Sequence, residues 1–150
     1  MDVVGGVSMS TGLLMLASPW LVSREAAQYL AAPVWLGFIF LLDPINARLG
    51  AESLREDIRA GRYDRLRNLL IGGLLCGALW EFWNYWAGAK WHYTVPMFEH
   101  TKIFEMPLPG YLGFPPFAVE CFTMYVFVRA LLERLARGQP PHNPGRRIAL

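Results

Sequence analysis

The sequence predicts an all-α, polytopic membrane bundle of about four helical spans, and three observations carry that expectation. Hydrophobic residues make up 54% of the chain and charged residues only 17%, against about 25% charged in soluble domains. The apolar residues fall into long runs instead of spreading through the chain. Arginines gather in one middle segment and at the C-terminal end. With 150 residues the chain is read as one domain, 1–137, followed by a flexible tail, 138–150. A net charge of +2 gives no footing for nucleic acid.

A bilayer core of about 30 Å takes roughly 20 helical residues to cross. The first span is expected at Val4–Val22, which carries no charge; it lacks the basic start of a secretory signal and is read as retained. After the break Ser23-Arg24-Glu25 comes a second span at Ala26–Leu42. It is expected to end at Asp43-Pro44, because proline disfavours helix in the residue before it. Asp43 and Asn46 are read there as capping and turning residues. Ser53-Leu54-Arg55-Glu56 has the form of a capping box, so a short helix starts there. Its arginines suit an interfacial helix or an ordinary solvated one. The third span runs over Leu69–Ala89 and the fourth over Phe114–Leu132, where Pro115 and Pro116 sit in a first turn that needs no N–H from them.

Arginine counts orient the spans. Arg48, Arg55, Arg59, Arg62, Arg65 and Arg67 place the 44–68 loop in the cytoplasm, and Arg129, Arg134, Arg137, Arg146 and Arg147 place the C-terminus there. The 90–113 loop carries only Lys90 and Lys102 and is expected outside a bacterial inner membrane. It holds Trp91, Tyr93, Val95, Phe98, Ile103, Phe104, Met106, Leu108, Tyr111 and Leu112, broken by Pro96, Pro107 and Pro109. So apolar a loop is expected to lie in the interface or fold back as a lid. Cys76 and Cys121 sit in apolar runs and are read as buried free thiols.

The residues that could carry chemistry gather at 80–93, where four of the six tryptophans surround Glu81 and Asn84. An ionisable residue inside a span is costly and is read first as functional. Gly73, Gly77, Glu81, Asn84 and Gly88 follow helical spacing and form one small and polar stripe, its glycines packing another helix. Glu81 lies roughly 12 Å below the outer end of span three and Glu120 roughly 9 Å below that of span four, at 1.5 Å per residue. The two carboxyls are therefore expected at matching depth, beneath Trp91, His92 and Tyr93. A low-dielectric site favours the neutral form of one carboxyl, and a protonated acid beside an ionised one is an acid–base device. In this reading Glu81, Glu120 and Asn84 act with Glu105 or His92 in support. Trp80, Trp83, Trp91 and Tyr93 line the ligand, with Trp86 at the rim. The competing reading has the carboxyls hydrogen-bonded as bundle locks and the tryptophans as an interfacial belt. His92 and His100 lack metal-pair spacing, and no metal or cofactor is expected.

In order, Leu42-Asp43-Pro44-Ile45-Asn46, Trp80-Glu81-Phe82-Trp83-Asn84-Tyr85-Trp86, Lys90-Trp91-His92-Tyr93, Phe104-Glu105-Met106-Pro107 and Gly113-Phe114-Pro115-Pro116-Phe117-Ala118-Val119-Glu120 resemble a family of uncharacterised prokaryotic integral membrane proteins. The likeness covers about residues 33–128, and in that family such a unit can be half of a longer chain. A fainter resemblance is to membrane-embedded lycopene cyclase domains, through Trp91-His92-Tyr93 and Pro107. Leu108-Pro109-Gly110 stands where those domains carry paired acids. That resemblance implies acid–base chemistry on a carotenoid or other isoprenoid, with aromatic faces holding a carbocation. The alternative is a non-catalytic accessory subunit of a larger respiratory or photosynthetic assembly. Membrane lipids, a hydrophobic small molecule or pigment, and membrane protein partners are the expected contacts. A proton or small-solute pathway ranks behind both.

Overall fold

The computed structural model describes residues 3–93 and 100–138, which are mostly helical. The tail expected after Gly138, and the Val95, Pro96 and Phe98 part of the 90–113 loop, lie outside the described residues. The elements are α1 (Val3–Ala17), α2 (Arg24–Ala27), α3 (Ala31–Arg48), α4 (Leu54–Arg59), α5 (Asp64–Trp86), a two-stranded hairpin of β1 (Lys102–Ile103) and β2 (Met106–Pro107), and α6 (Phe114–Gly138). Single 3₁₀ stretches follow α1 (Ser18–Trp20) and precede α6 (Leu108–Gly113).

The boundaries differ from expectation in instructive places. The run 26–42 is not one helix: α2 is a single turn capped by the Ser23 hydroxyl, which accepts from Ala26 N at 3.4 Å, and α3 restarts at Ala31. Nor does Asp43-Pro44 end α3, which runs through Pro44 to Arg48. Proline removes the N–H that would have bonded the Phe40 carbonyl four residues back. In its place the Ser8 hydroxyl of α1 donates to Phe40 O at 2.8 Å. A neighbouring serine re-satisfying a carbonyl freed by proline is what keeps such helices continuous in an apolar surrounding. α3 then closes at Gly50, whose φ of +70° suits glycine. Ser53 caps α4 as the capping box implies, accepting from Glu56 N at 3.3 Å. α5 stops at Trp86, with Ala87 already extended, so Gly88 falls outside the helix, and a side chain there would meet open space.

Contacts between elements fix the directions. Gly12 of α1 lies against Gly37 and Leu41, and Arg48 reaches Met9, so α1 and α3 are antiparallel. Trp35 meets Gly113 and the Asn46 amide donates to Thr123 O at 3.0 Å, so α3 and α6 are parallel. Gly77 faces Phe114, Gly73 faces Phe114 and Ala118, and Arg65 sits 5.5 Å over the Phe122 ring, so α5 and α6 are antiparallel. The main packing pairs are α1 on α3, α3 on α6, and α6 on α5. The helices thus run in the order α1, α3, α6, α5, a row more than a closed ring. One end of the row carries the arginines of α4, early α5 and late α6; the other carries the aromatic residues 80–93.

Burial is inverted relative to a water-soluble core. The largest fully buried side chains are Glu81, Val126, Asn46 and Thr123. Buried polar or charged residues (Asp43, Asn46, Ser53, Asp57, Glu81, Asn84, Glu120 and Thr123) outnumber buried apolar ones (Leu54, Met106, Val119, Val126 and Ala130). Leucine, valine, phenylalanine and tryptophan side chains meanwhile cover the outside of every long helix. Two stretches, Val3–Trp20 and Leu108–Arg137, are long and apolar enough to cross a membrane.

Candidate functional site

Helical spacing sets Gly73, Gly77, Glu81 and Asn84 on the buried face of α5. The two glycines admit α6: a Cβ at Gly73 would stand 2.6 Å from Phe114 O and 2.8 Å from Ala118 Cβ. Above them the loop takes over from the helix. Tyr93 Oη donates to Glu81 Oε1 at 2.5 Å, and Glu81 Oε2 has no partner among the described residues. Asn84 clamps the same strand of chain: its Nδ2 donates to Trp91 O at 2.8 Å, and Trp91 N donates to its Oδ1 at 2.6 Å. An asparagine amide offers one donor and one acceptor side by side, so it pairs with a peptide group as a neighbouring strand would. Burial first, and then the bond to Glu81, push the Tyr93 phenol well above the usual tyrosine value.

Glu105 fastens the outer layer. Its oxygens meet Lys90 Nζ at 2.6 Å and His92 Nδ1 at 3.1 Å. The lysine bond, with His92 in support, holds the Glu105 carboxyl below its ordinary value. The hairpin turns at Phe104, whose φ of +58° is in the left-handed region. Its ring is held between Phe82 (6.2 Å) and Tyr85 (5.4 Å) of α5. The chain returns onto the end of α5 through Trp91, Tyr93 and Phe104.

Three cavities meet at Trp80. A groove of 640 Å³ runs along α5 and α6 past Gly72, Cys76, Phe117 and Cys121. Trp80, Phe114 and Phe117 also line a 290 Å³ pocket, together with Tyr93, Trp91, Met106 and Trp35. A 500 Å³ recess is lined by Trp80, Trp83, Asn84 and Lys90. Cys76 and Cys121, expected as buried thiols, are exposed free cysteines on the groove wall. They are open because α5 flanks the row and none of the described residues covers its groove with α6.

Glu81 and Glu120 are not brought together. Glu120 lies between Ala118, level with Gly73, and Phe122, level with Arg65. Glu81 is eight residues from Gly73 in the opposite direction, so the two residues' Cα atoms are offset by roughly 12 Å or more along the axis. The expected matching depth fails because Phe114 starts α6 at the level of Gly77, nine residues short of the end of α5 at Trp86. Glu120 is buried at 8% exposure, near the level of Asp43. Trp83 and Trp86 point outward at 64% and 70% exposure. Among the described residues no group of three His, Cys, Asp or Glu side chains is placed to hold a metal.

Sequence reasoning missed Trp35, Phe114 and Phe117 as groove residues, although the spacing of the phenylalanines at the start of α6 put both on one face. It also missed the full part of Asp43. Buried at 6% exposure, it accepts from Ser53 Oγ (2.9 Å), Leu54 N (2.8 Å) and Arg55 N (3.0 Å). A carboxylate of α3 therefore caps α4, where the helix dipole favours negative charge. No family model matches the chain, and neither a curated protein nor a solved structure matches it.

Proposed function

We propose that this chain is a four-span protein of the bacterial inner membrane that holds one lipid-like chain, of isoprenoid type, in the α5–α6 groove. The inverted burial supports the membrane part. Apolar side chains cover the outside, while Asp43, Asn46, Glu81 and Asn84 are inside, where each makes at least one hydrogen bond. α3 and α5 have 18 and 23 residues, enough to span, and their polar residues lie toward the helix ends. The arginine-rich end is then cytoplasmic by the positive-inside rule.

One observation carries the ligand: the 640 Å³ apolar groove and the 290 Å³ pocket lined by Tyr93 share Trp80, Phe114 and Phe117. Both volumes suit a small hydrophobic molecule. Tyr93, backed by Glu81, offers its polar end a hydrogen bond. The separation of Glu81 from Glu120 lends no support to a two-carboxylate acid–base pair, so binding is favoured over cyclase-like catalysis. The test uses Cys76 and Cys121 as reporters. In nanodiscs, geranylgeraniol should slow maleimide labelling of both cysteines, and Phe117→Trp should remove the protection. Labelling that ignores the isoprenoid in the wild-type protein rejects the groove as its site.

A second reading, a non-catalytic subunit of a larger membrane complex, is favoured by one feature. Glu81 and Asn84 are occupied in holding the loop, and the outward face of α5, with Leu75, Leu79, Trp83 and Trp86, is open. It predicts co-purification with larger partners after mild detergent extraction. A small monodisperse particle on native mass spectrometry counts against it.

A further inference from the structure

At the arginine-rich end a 380 Å³ cavity opens between the turn after α3 and the last turns of α6. Arg129, Arg134 and Arg137 line it together with Glu52 and Glu133. Arg129 is committed to the fold: it is ion-paired to Glu52, approaches Glu133 at 3.6 Å and lies 5.6 Å over the Tyr125 ring. Glu133 is shared, reaching Arg137 at 3.4 Å. Arg134 donates to the neutral Leu49 carbonyl at 3.0 Å. Two carboxylates thus face three guanidiniums, and the excess positive charge sits on the Arg134–Arg137 side. Leu49, Gly50, Ala51 and Ala130 complete the lining, and a Cβ at Gly50 would meet open space. Beside the cavity Val128, Leu131, Leu132 and Leu135 present exposed apolar surface along α6.

We infer that this cavity binds the phosphate of an anionic phospholipid, with Arg134 and Arg137 as its ligands and the acyl chains lying along the apolar face of α6. Guanidinium forks match phosphate oxygens in pairs. The site rests on the membrane reading above, which puts this end of α6 at the lipid–water boundary where anionic headgroups lie.

The experiment is native mass spectrometry of the full chain released from nanodiscs of phosphatidylcholine with phosphatidylglycerol. The wild-type protein should keep phosphatidylglycerol in preference to phosphatidylcholine. At the usual worth of an arginine near an anionic surface, Arg134→Gln with Arg137→Gln should weaken retention roughly 30-fold. Ala130→Leu, which keeps every charge but enlarges a side chain of the lining, should also reduce it. Equal retention in wild type and both variants, or no preference over phosphatidylcholine, overturns the site. Displacement of the lipid by millimolar inorganic phosphate would assign it to a soluble phosphate and overturn the lipid assignment. Carbonate extraction separates the two levels of inference. A chain that leaves the membrane on washing defeats the membrane reading itself, whereas one that stays embedded without selecting phosphatidylglycerol defeats only this site.

Discussion

Substituting Gly73 by alanine tests whether the α5–α6 seam is set by backbone contact. The new Cβ would lie 2.6 Å from Phe114 O, 2.8 Å from Ala118 Cβ and 3.0 Å from Pro115 Cα. Carbon atoms rest at about 3.5–4.0 Å, so the helices must part by roughly 1 Å. Two of the three obstructing atoms are backbone and cannot swing aside. Overpacking of this kind costs about 1–3 kcal/mol. Alanine also recovers about 1 kcal/mol of helix propensity, which blurs the single measurement. Gly72 removes the ambiguity: it is the adjacent residue on the same helix, and a Cβ there has nothing within 4 Å. Gly72→Ala should therefore be neutral or stabilising, with Gly73→Ala about 1–3 kcal/mol less stable than it. Both are read by reversible denaturation in one detergent system. Equal stability of the two variants would refute the seam as described.

Three further outcomes follow from single contacts. Ser8→Ala strips the Phe40 carbonyl of its donor and should cost about 1–3 kcal/mol in the same assay; Ser8→Thr, which keeps the hydroxyl, should recover part of it, and no loss in Ser8→Ala would show that α3 tolerates Pro44 unaided. Tyr93→Phe leaves Glu81 without its bond and should cost about 1–3 kcal/mol, while Tyr93→Phe with Glu81→Leu should be milder than the single change, since removing both partners avoids an unsatisfied buried group. The Glu105 carboxyl is held below its ordinary value of 4.5 by Lys90 and His92. A depressed value in the folded state means that the clasp contributes above 4.5 and is lost as pH falls through the lower folded value. Proteolysis of the 90–105 region should therefore accelerate on acidification below about pH 4.5 in the wild type and lose that dependence in Glu105→Gln; identical profiles would exclude the clasp.

The helices were legible because long apolar runs, the Ser53 capping box and the paired prolines at 115 and 116 are local signals. What was not legible is relative depth. Counting inward from expected helix ends put Glu81 and Glu120 level, but ends are set by the partner: α5 stops at Trp86 and α6 begins beside Gly77. Pro44 misled in the same way. Its effect on α3 depends on Ser8, distant in sequence, and no window around the proline contains that information. Asn84 and Tyr93 were readable as candidates from their types, but their roles as clamp and bond donor exist only because the chain folds back after Ala87.

Gly77 links these outcomes. Because it has no side chain, the Phe114 ring occupies its place against α5, and α6 can begin there instead of one or two turns higher. α5 then runs on for nine residues past the level at which α6 begins. Their buried face, with Glu81 and Asn84, must be satisfied by something else, since an unpaired polar group away from water costs as much as a lost hydrogen bond or more. Trp91 supplies partners to the Asn84 amide and Tyr93 to Glu81 Oε1, and both line the pocket that shares Trp80, Phe114 and Phe117 with the groove. The register that separates Glu81 from Glu120 is therefore the same one that brings Tyr93 to Glu81. A stretch that reads as a two-carboxylate site becomes a clasp on the returning chain, with Tyr93 on Glu81 and Trp91 on Asn84.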